Sequence, residues 1–233
     1  MPGCSNDTLP AMRKPKSATK PASRSTRPTR QRLSQSERRV QLLGGALADA
    51  ANVGLGRLTH AGVARECGVA VPTVFSYFEN RAALVIATVE EVRRFYLELA
   101  GYWHRPEIPP LSALKGHLSA YTDSINTDPH YARVWLEWCT AVRNEDGIWD
   151  LFLEYHEQII KLIGGSIRRG QKSGDIVKSI SATNAARLLV SSGITVTQLH
   201  FMHRDKREIN RFIDQSLMLA LHHEPPVRSR QRS

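Results

Sequence analysis

The sequence predicts an all-α protein of about nine helices, and three observations carry that prediction. Beyond residue 34, apolar side chains recur at three- and four-residue spacing, as in Val40, Leu43, Leu47 and Ala50. No stretch alternates apolar and polar residues with the period of two that a half-buried strand requires. The interruptions are glycines, prolines and capping residues placed where helices start and stop.

Each element follows in order. Residues 1–33 are rich in Pro, Ser, Thr, Lys and Arg and nearly free of large apolar side chains, so they are expected to form a disordered basic arm. Ser34-Gln-Ser-Glu37 is a capping box, and a helix over 34–53 follows it to Gly54 and Gly56. Thr59 caps a short helix, His60–Cys67, which Gly68 ends. Another short helix opens at Val71-Pro72, where the missing proline N–H costs nothing, and Phe78-Glu79-Asn80 breaks it. Asn80 caps a long helix over 80–103. Arg105-Pro-Glu-Ile-Pro-Pro110 marks a joint, and further helices are expected at 111–126, 130–143, 147–172, 181–202 and 205–222. The expected organisation is thus an N-terminal three-helix domain over 34–84, a C-terminal helical domain over 105–222, and a basic tail over 223–233.

Charge is unevenly placed. The chain carries a formal +10, of which residues 1–32 hold +7 and residues 225–233 hold +3. Residues 33–224 are neutral, with 21 basic and 21 acidic side chains. Attraction for phosphate therefore belongs to the two ends rather than to the folded body. No apolar run is long enough to span a membrane, and the basic N-terminus has no apolar stretch behind it as a secretory signal would, so a cytoplasmic protein is expected. Cys4, Cys67 and Cys139 are odd in number and widely spaced, which argues for free thiols.

The most informative segment is Thr59-His-Ala-Gly-Val-Ala-Arg-Glu-Cys-Gly-Val-Ala-Val-Pro-Thr-Val-Phe-Ser-Tyr-Phe78. Val63 and Ala64 would meet Val69 and Val74 across a tight turn at Gly68, the arrangement of a helix-turn-helix. Helices this short need the flanking helices to hold them, which leaves the second one free to enter a DNA major groove. Thr73 and Ser76 then suit base edges or phosphates, Phe75 a thymine methyl or sugar edge, and Tyr77 a phosphate. Thr59 and Arg81 stand at helix N-termini, where phosphate is also held.

This segment, read with Arg81 and Leu84, strongly resembles the N-terminal domain of TetR-family regulators. Arg27-Pro-Thr-Arg-Gln-Arg-Leu-Ser34, Val134-Trp-Leu-Glu-Trp-Cys139 and Ile148-Trp-Asp-Leu-Phe152 make the LuxR/HapR-type quorum-sensing regulators of vibrios the most similar branch. The resemblance implies a homodimer on palindromic double-stranded DNA, contacts from Thr73, Phe75, Ser76, Tyr77 and Arg81, and an arm whose Arg27, Arg30 and Arg32 reach the DNA. It implies a global regulator able to repress and activate, as against a local repressor released by a small apolar ligand. Pro72 and Ala70 depart from the family pattern, which bears on the DNA sequence preferred.

In the C-terminal half, Ala185, Leu188, Leu189, Ser192, Val196 and Leu199 form one stripe and Ile209, Phe212, Ile213, Ser216, Leu217 and Ala220 another, both suited to a four-helix dimer interface. Phe95, Trp135, Trp138, Cys139, Phe152 and Ile194 are the candidate walls of an apolar ligand pocket, with Trp149 nearby. His200/His203 and His222/His223 lack thiol or carboxylate partners at ligand spacing, so no metal is expected. No cofactor loop or nucleophile pattern is present to suggest an enzyme.

Overall fold

The computed structural model describes residues 33–140, 147–202 and 204–222. Arg27, Arg30 and Arg32, the expected arm and the expected basic tail lie outside the described residues, as do His203 and His223. Among the described residues there are nine α-helices and no strand. They are α1 (Gln35–Val53), α2 (His60–Cys67), α3 (Val71–Phe75), α4 (Arg81–Trp103), α5 (Pro110–Thr127), α6 (Pro129–Thr140), α7 (Ile148–Ser173), α8 (Ala182–Phe201) and α9 (Lys206–His222). No described helix is long and apolar enough to cross a membrane. The described residues from Ser34 to His222 form one compact unit.

The caps explain the helix starts. The Ser34 hydroxyl accepts from the Glu37 amide at 3.2 Å while the Ser34 amide donates to the Glu37 carboxylate at 2.8 Å, closing the capping box. Thr59, Asn80 and Ser181 accept in the same way from Gly62, Ala83 and Asn184. Ala70 has no side chain to do this, and α3 starts without a side-chain cap. Gly68 takes the left-handed conformation (φ 63°, ψ 39°) that ends α2, a turn only glycine makes without strain.

Two elements differ from expectation. The Gly54–Leu58 link contains a 3₁₀ turn over Leu55–Arg57, with Gly54 at φ 90°. The second short helix ends at Phe75 rather than near Phe78, because the Tyr77 amide turns to the Val74 carbonyl three residues back and the chain tightens into a turn, while the Phe78 carbonyl accepts from the His60 ring.

Layering follows from burial. α1, α2, α3 and the start of α4 enclose Leu42, Ala46, Val63, Val74 and Phe78, all 3% exposed or less. α4 continues into the second half, packing against α5, α6 and α7 through Val92, Tyr96 and Ala100. α8 packs between α7 and α9. The two stripes expected to face a second copy are largely consumed inside the chain: Ala185, Leu189, Ser192 and Val196 on α8, and Ile209, Ile213, Ser216 and Ala220 on α9, are all buried. α7 and α9 cover the α8 face, and α8 with α5 covers the α9 face. Exposed apolar side chains remain at Leu188, Met218 and Leu219.

Candidate nucleic-acid interface

α3 is one and a half turns long and cannot persist alone. Its inner side is fixed by Val74 and Phe78, which are 0% and 2% exposed. Arg39 of α1 lies over the Phe78 ring at 5.2 Å, adding a cation–π contact. The buried His60 ring of α2 completes the seat. Its Nε2–H donates to the Phe78 carbonyl at 2.7 Å, and its face stacks on Phe75 with centroids 3.8 Å apart and planes 5° apart. α2 is tied to α1 by Arg65, which donates to the buried carboxylate of Asp49 at 3.1 Å. Gly62 makes room for that carboxylate, since a Cβ there would lie 2.0 Å from an Asp49 oxygen.

The expected contact residues fall in three groups. Phe75 and Ser76 are exposed, and Thr73 and Tyr77 are half-buried on the same short segment. Phe75 is 48% exposed, an aromatic ring held flat against His60 with its other face in solvent. The Ser76 hydroxyl donates to the Thr73 carbonyl at 2.7 Å, which fixes the direction of the Ser76 side chain. Thr59 is engaged as the α2 cap. Arg81, expected at a phosphate, donates to the carbonyls of Leu58 at 3.2 Å, Leu55 at 2.9 Å and Gly56 at 2.8 Å. Its guanidinium fastens the α1–α2 link, a role the sequence pattern did not reveal.

The residues expected to wall a ligand pocket are not brought together around one space. A cavity of about 40 Å³ lies among α5, α6, α7 and α8, lined by Leu114, His117, Tyr121, Trp135, Tyr155, Ile159, Ile163 and Leu189, with Leu118, Val190 and Gly193 completing it. Of the residues expected there, Trp135 alone lines it. Trp138 is core, its indole donating to the Ile148 carbonyl at 3.1 Å. Phe95 stacks on Tyr131, Phe152 on Trp149, and Cys139 and Ile194 pack against the core. The missed walls come from α5, α7 and α8; on α5, Leu114, His117, Leu118 and Tyr121 share a face at helical spacing. Tryptophan enrichment pointed instead to the α6–α7 contact.

Beside the cavity, polar groups are paired in sequence-distant sets. His117 Nδ1 lies 2.9 Å from His104 Nε2, and His104 Nδ1 lies 2.8 Å from the Ser166 hydroxyl. Burial holds His104 down to about 4, helped by the Arg169 charge, and burial with the His104 neighbour lowers His117 to about 3. Both rings are neutral at neutral pH. The Tyr121 hydroxyl bonds that of Thr197 at 2.5 Å, and burial pushes the Tyr121 phenol well above its ordinary range. Burial also raises the thiols of Cys67 and Cys139, which are free. No group of three or more His, Cys, Asp or Glu among the described residues is arranged to hold a metal.

The description of bacterial regulatory proteins of the tetR family matches residues 42–88, which span the buried side of α1 through the first turns of α4. Residues 42–88 thus match the N-terminal domain of the TetR-family regulators. The HTH-type transcriptional regulator LuxR of Vibrio harveyi is 29% identical over 159 residues, covering 68% of this chain and 77% of that protein. Among solved structures, a TetR-like regulator from Rhodococcus sp. RHA1 superposes with a TM-score of 0.66 at 15% identity, covering 81% of this chain and 96% of its own. FadR of Bacillus subtilis, in complex with stearoyl-CoA, reaches 0.66 at 17% identity over 79% of this chain and 98% of its own. SmeT, the repressor of the Stenotrophomonas maltophilia multidrug efflux pump SmeDEF, reaches 0.63 at 14% identity, with 78% and 87% covered. These superpositions show a shared TetR-like fold.

Proposed function

We propose that this TetR-type regulator binds palindromic operator DNA as a homodimer and reads it through Thr73, Phe75, Ser76 and Tyr77. The observation that carries the reading is the exposed Phe75–Ser76 end of α3, whose opposite side is locked by Val74, Phe78 and His60. A short helix held rigidly from one side and open on the other suits insertion into a major groove. Thr59 and Arg81 hold the seat of that helix and stand at its phosphate-facing edge. Arg27, Arg30 and Arg32 supply additional grip, since the +7 on residues 1–32 far exceeds the charge of the folded body. Leu188, Met218 and Leu219 are the apolar surface offered to the second copy. The resemblance to LuxR supports a quorum-sensing-type global regulator that represses and activates, acting in the cytoplasm.

The test is selection of bound duplexes from random DNA. A two-fold motif, with half-sites about one helical turn apart or a multiple of it, is the expected result, and the selected duplex should bind more weakly as salt rises. Absence of salt-sensitive binding defeats the reading. Ser76→Ala should change the selected sequence more than the total affinity. Deleting residues 1–32 should weaken binding and flatten its salt dependence.

A second reading, a local repressor released by a small apolar ligand, draws on the α5–α8 cavity. No Lys, Arg, Asp or Glu lines it and His117 is neutral, which favours an uncharged ligand. At about 40 Å³ the space takes a water or two. Pockets for drug-sized molecules run to roughly 300–1,000 Å³, so the walls must part for a ligand to enter. A genome-wide binding map separates the readings, because one or two sites would leave only the local repressor.

A further inference from the structure

The α1–α2 link is held from two sides by residues far away in sequence. Its 3₁₀ turn has no side-chain cap of its own at Gly54. The acceptor comes instead from α6, where both carboxylate oxygens of Glu137 lie 2.9 Å from the Leu55 amide nitrogen, 82 residues away. Leu55 is fully buried, so that amide has no water to turn to. Gly54 is fitted to the carboxylate: it sits at φ 90°, and a Cβ there would lie 3.1 Å from Glu137 Oε1. On the opposite side, Arg81 takes the carbonyls of Leu55, Gly56 and Leu58. Next in the chain come Thr59, which caps α2, and His60, which holds Phe75 and Phe78. A continuous series of bonds therefore leads from α6 to the reading face of α3. Two residues before Glu137 on α6 stands Trp135, a wall of the cavity.

We infer that Glu137 is a positioning residue for DNA recognition, tying the seat of α2 and α3 to α6 so that the register of α6 sets the placement of α3. The inference rests on the DNA-binding reading of α3. Glu137 itself touches no DNA in this scheme. Its carboxylate forms a charge-assisted bond to a buried amide, among the stronger hydrogen bonds a protein makes, and its removal leaves that amide without an acceptor.

The full chain is compared as wild type, Glu137→Ala and Glu137→Gln. Amide exchange is read by mass spectrometry over residues 54–60 and 70–78, together with thermal melting and binding to the duplex that wild type selects from random DNA. Glu137→Ala should exchange at least tenfold faster over 54–60, with 70–78 following, and should bind the duplex about tenfold more weakly. Glu137→Gln keeps one acceptor oxygen and should recover part of both effects. Unchanged exchange over 70–78 in a folded variant overturns the inference, as does a loss of binding that merely tracks melting temperature across the variants. If Glu137→Ala does not fold, Glu137→Gln decides by the same readouts. If wild type selects no duplex, the DNA-binding reading fails, while the exchange at 54–60 and 70–78 still decides whether Glu137 ties α6 to α3.

Discussion

Around α2 and α3, polar bonds between sequence-distant residues do the holding: Asp49 to Arg65, His60 to the Phe78 carbonyl, Glu137 to the Leu55 amide and Arg81 to three carbonyls. Around α5 to α8, long helices bury broad apolar faces, with Ile159, Ile163, Ile167 and Leu189 at 4% exposure or less, and they tolerate a small cavity between them. Helix length explains the contrast. Helices of eight and five residues present too little apolar surface to define their own orientation, so directional bonds supply it, whereas helices of 12 to 26 residues do so by area. A surface that must place a few side chains against DNA needs fixed direction. A region that closes around a cavity does not.

The largest expected effect tests whether the N-terminal region also depends on its core. Phe78→Ala removes a ring 2% exposed beneath α3 and should cost about 3–5 kcal/mol, read by chemical denaturation; a cost below about 1 kcal/mol would mean that the polar bonds alone hold α3.

The second prediction concerns the polar set in the otherwise apolar half. His104 has a folded-state value of about 4, below the ordinary value of about 6.5, so the unfolded chain takes up a proton first as pH falls. Its contribution is complete above pH ~6.5 and is lost towards pH 4, by about 3 kcal/mol over that window. Melting temperature should fall across that range in wild type and fall less in His104→Gln. Parallel curves would remove His104 as the cause.

The third sets the two regions directly against each other. Gly62→Ala places a Cβ 2.0 Å from the Asp49 carboxylate and should destabilise by about 1–3 kcal/mol. Gly193→Ala, beside the cavity, meets its nearest atom on Tyr121 at 3.7 Å and should be neutral or up to about 1 kcal/mol stabilising through helix propensity. Equal effects, measured by thermal melts, would erase the proposed difference in tolerance.

Legibility in the sequence divides by the range of the interaction. Local chemistry was readable: the Ser34 capping box, the Thr59 and Asn80 caps, the Gly68 turn and the uncapped start at Ala70 all depend on residues within a few positions. The exposed Phe75–Ser76 end followed from those signals together with the burial of Val74 and Phe78. The cavity walls were not readable, because a helical stripe such as Leu114–Leu118–Tyr121 looks the same whether it faces core or void. Tryptophans attracted the prediction, and Trp138 proved to be filling space that its indole bond to Ile148 fixes.

Taken alone, then, the sequence determined that the chain is helical, where most of its helices begin and end, and which short segment faces outward, since each rests on backbone hydrogen bonding and periodicity over one or two turns. Tertiary structure decided which partner each face meets. It drew Arg81 onto backbone carbonyls, brought Glu137 across 82 residues to a buried amide, and buried inside the chain most of the stripes that periodicity alone offered to a second copy. The physical reason is that an apolar face or a long polar side chain specifies what it must contact but not which element supplies it, and only the packing of the other helices settles that choice.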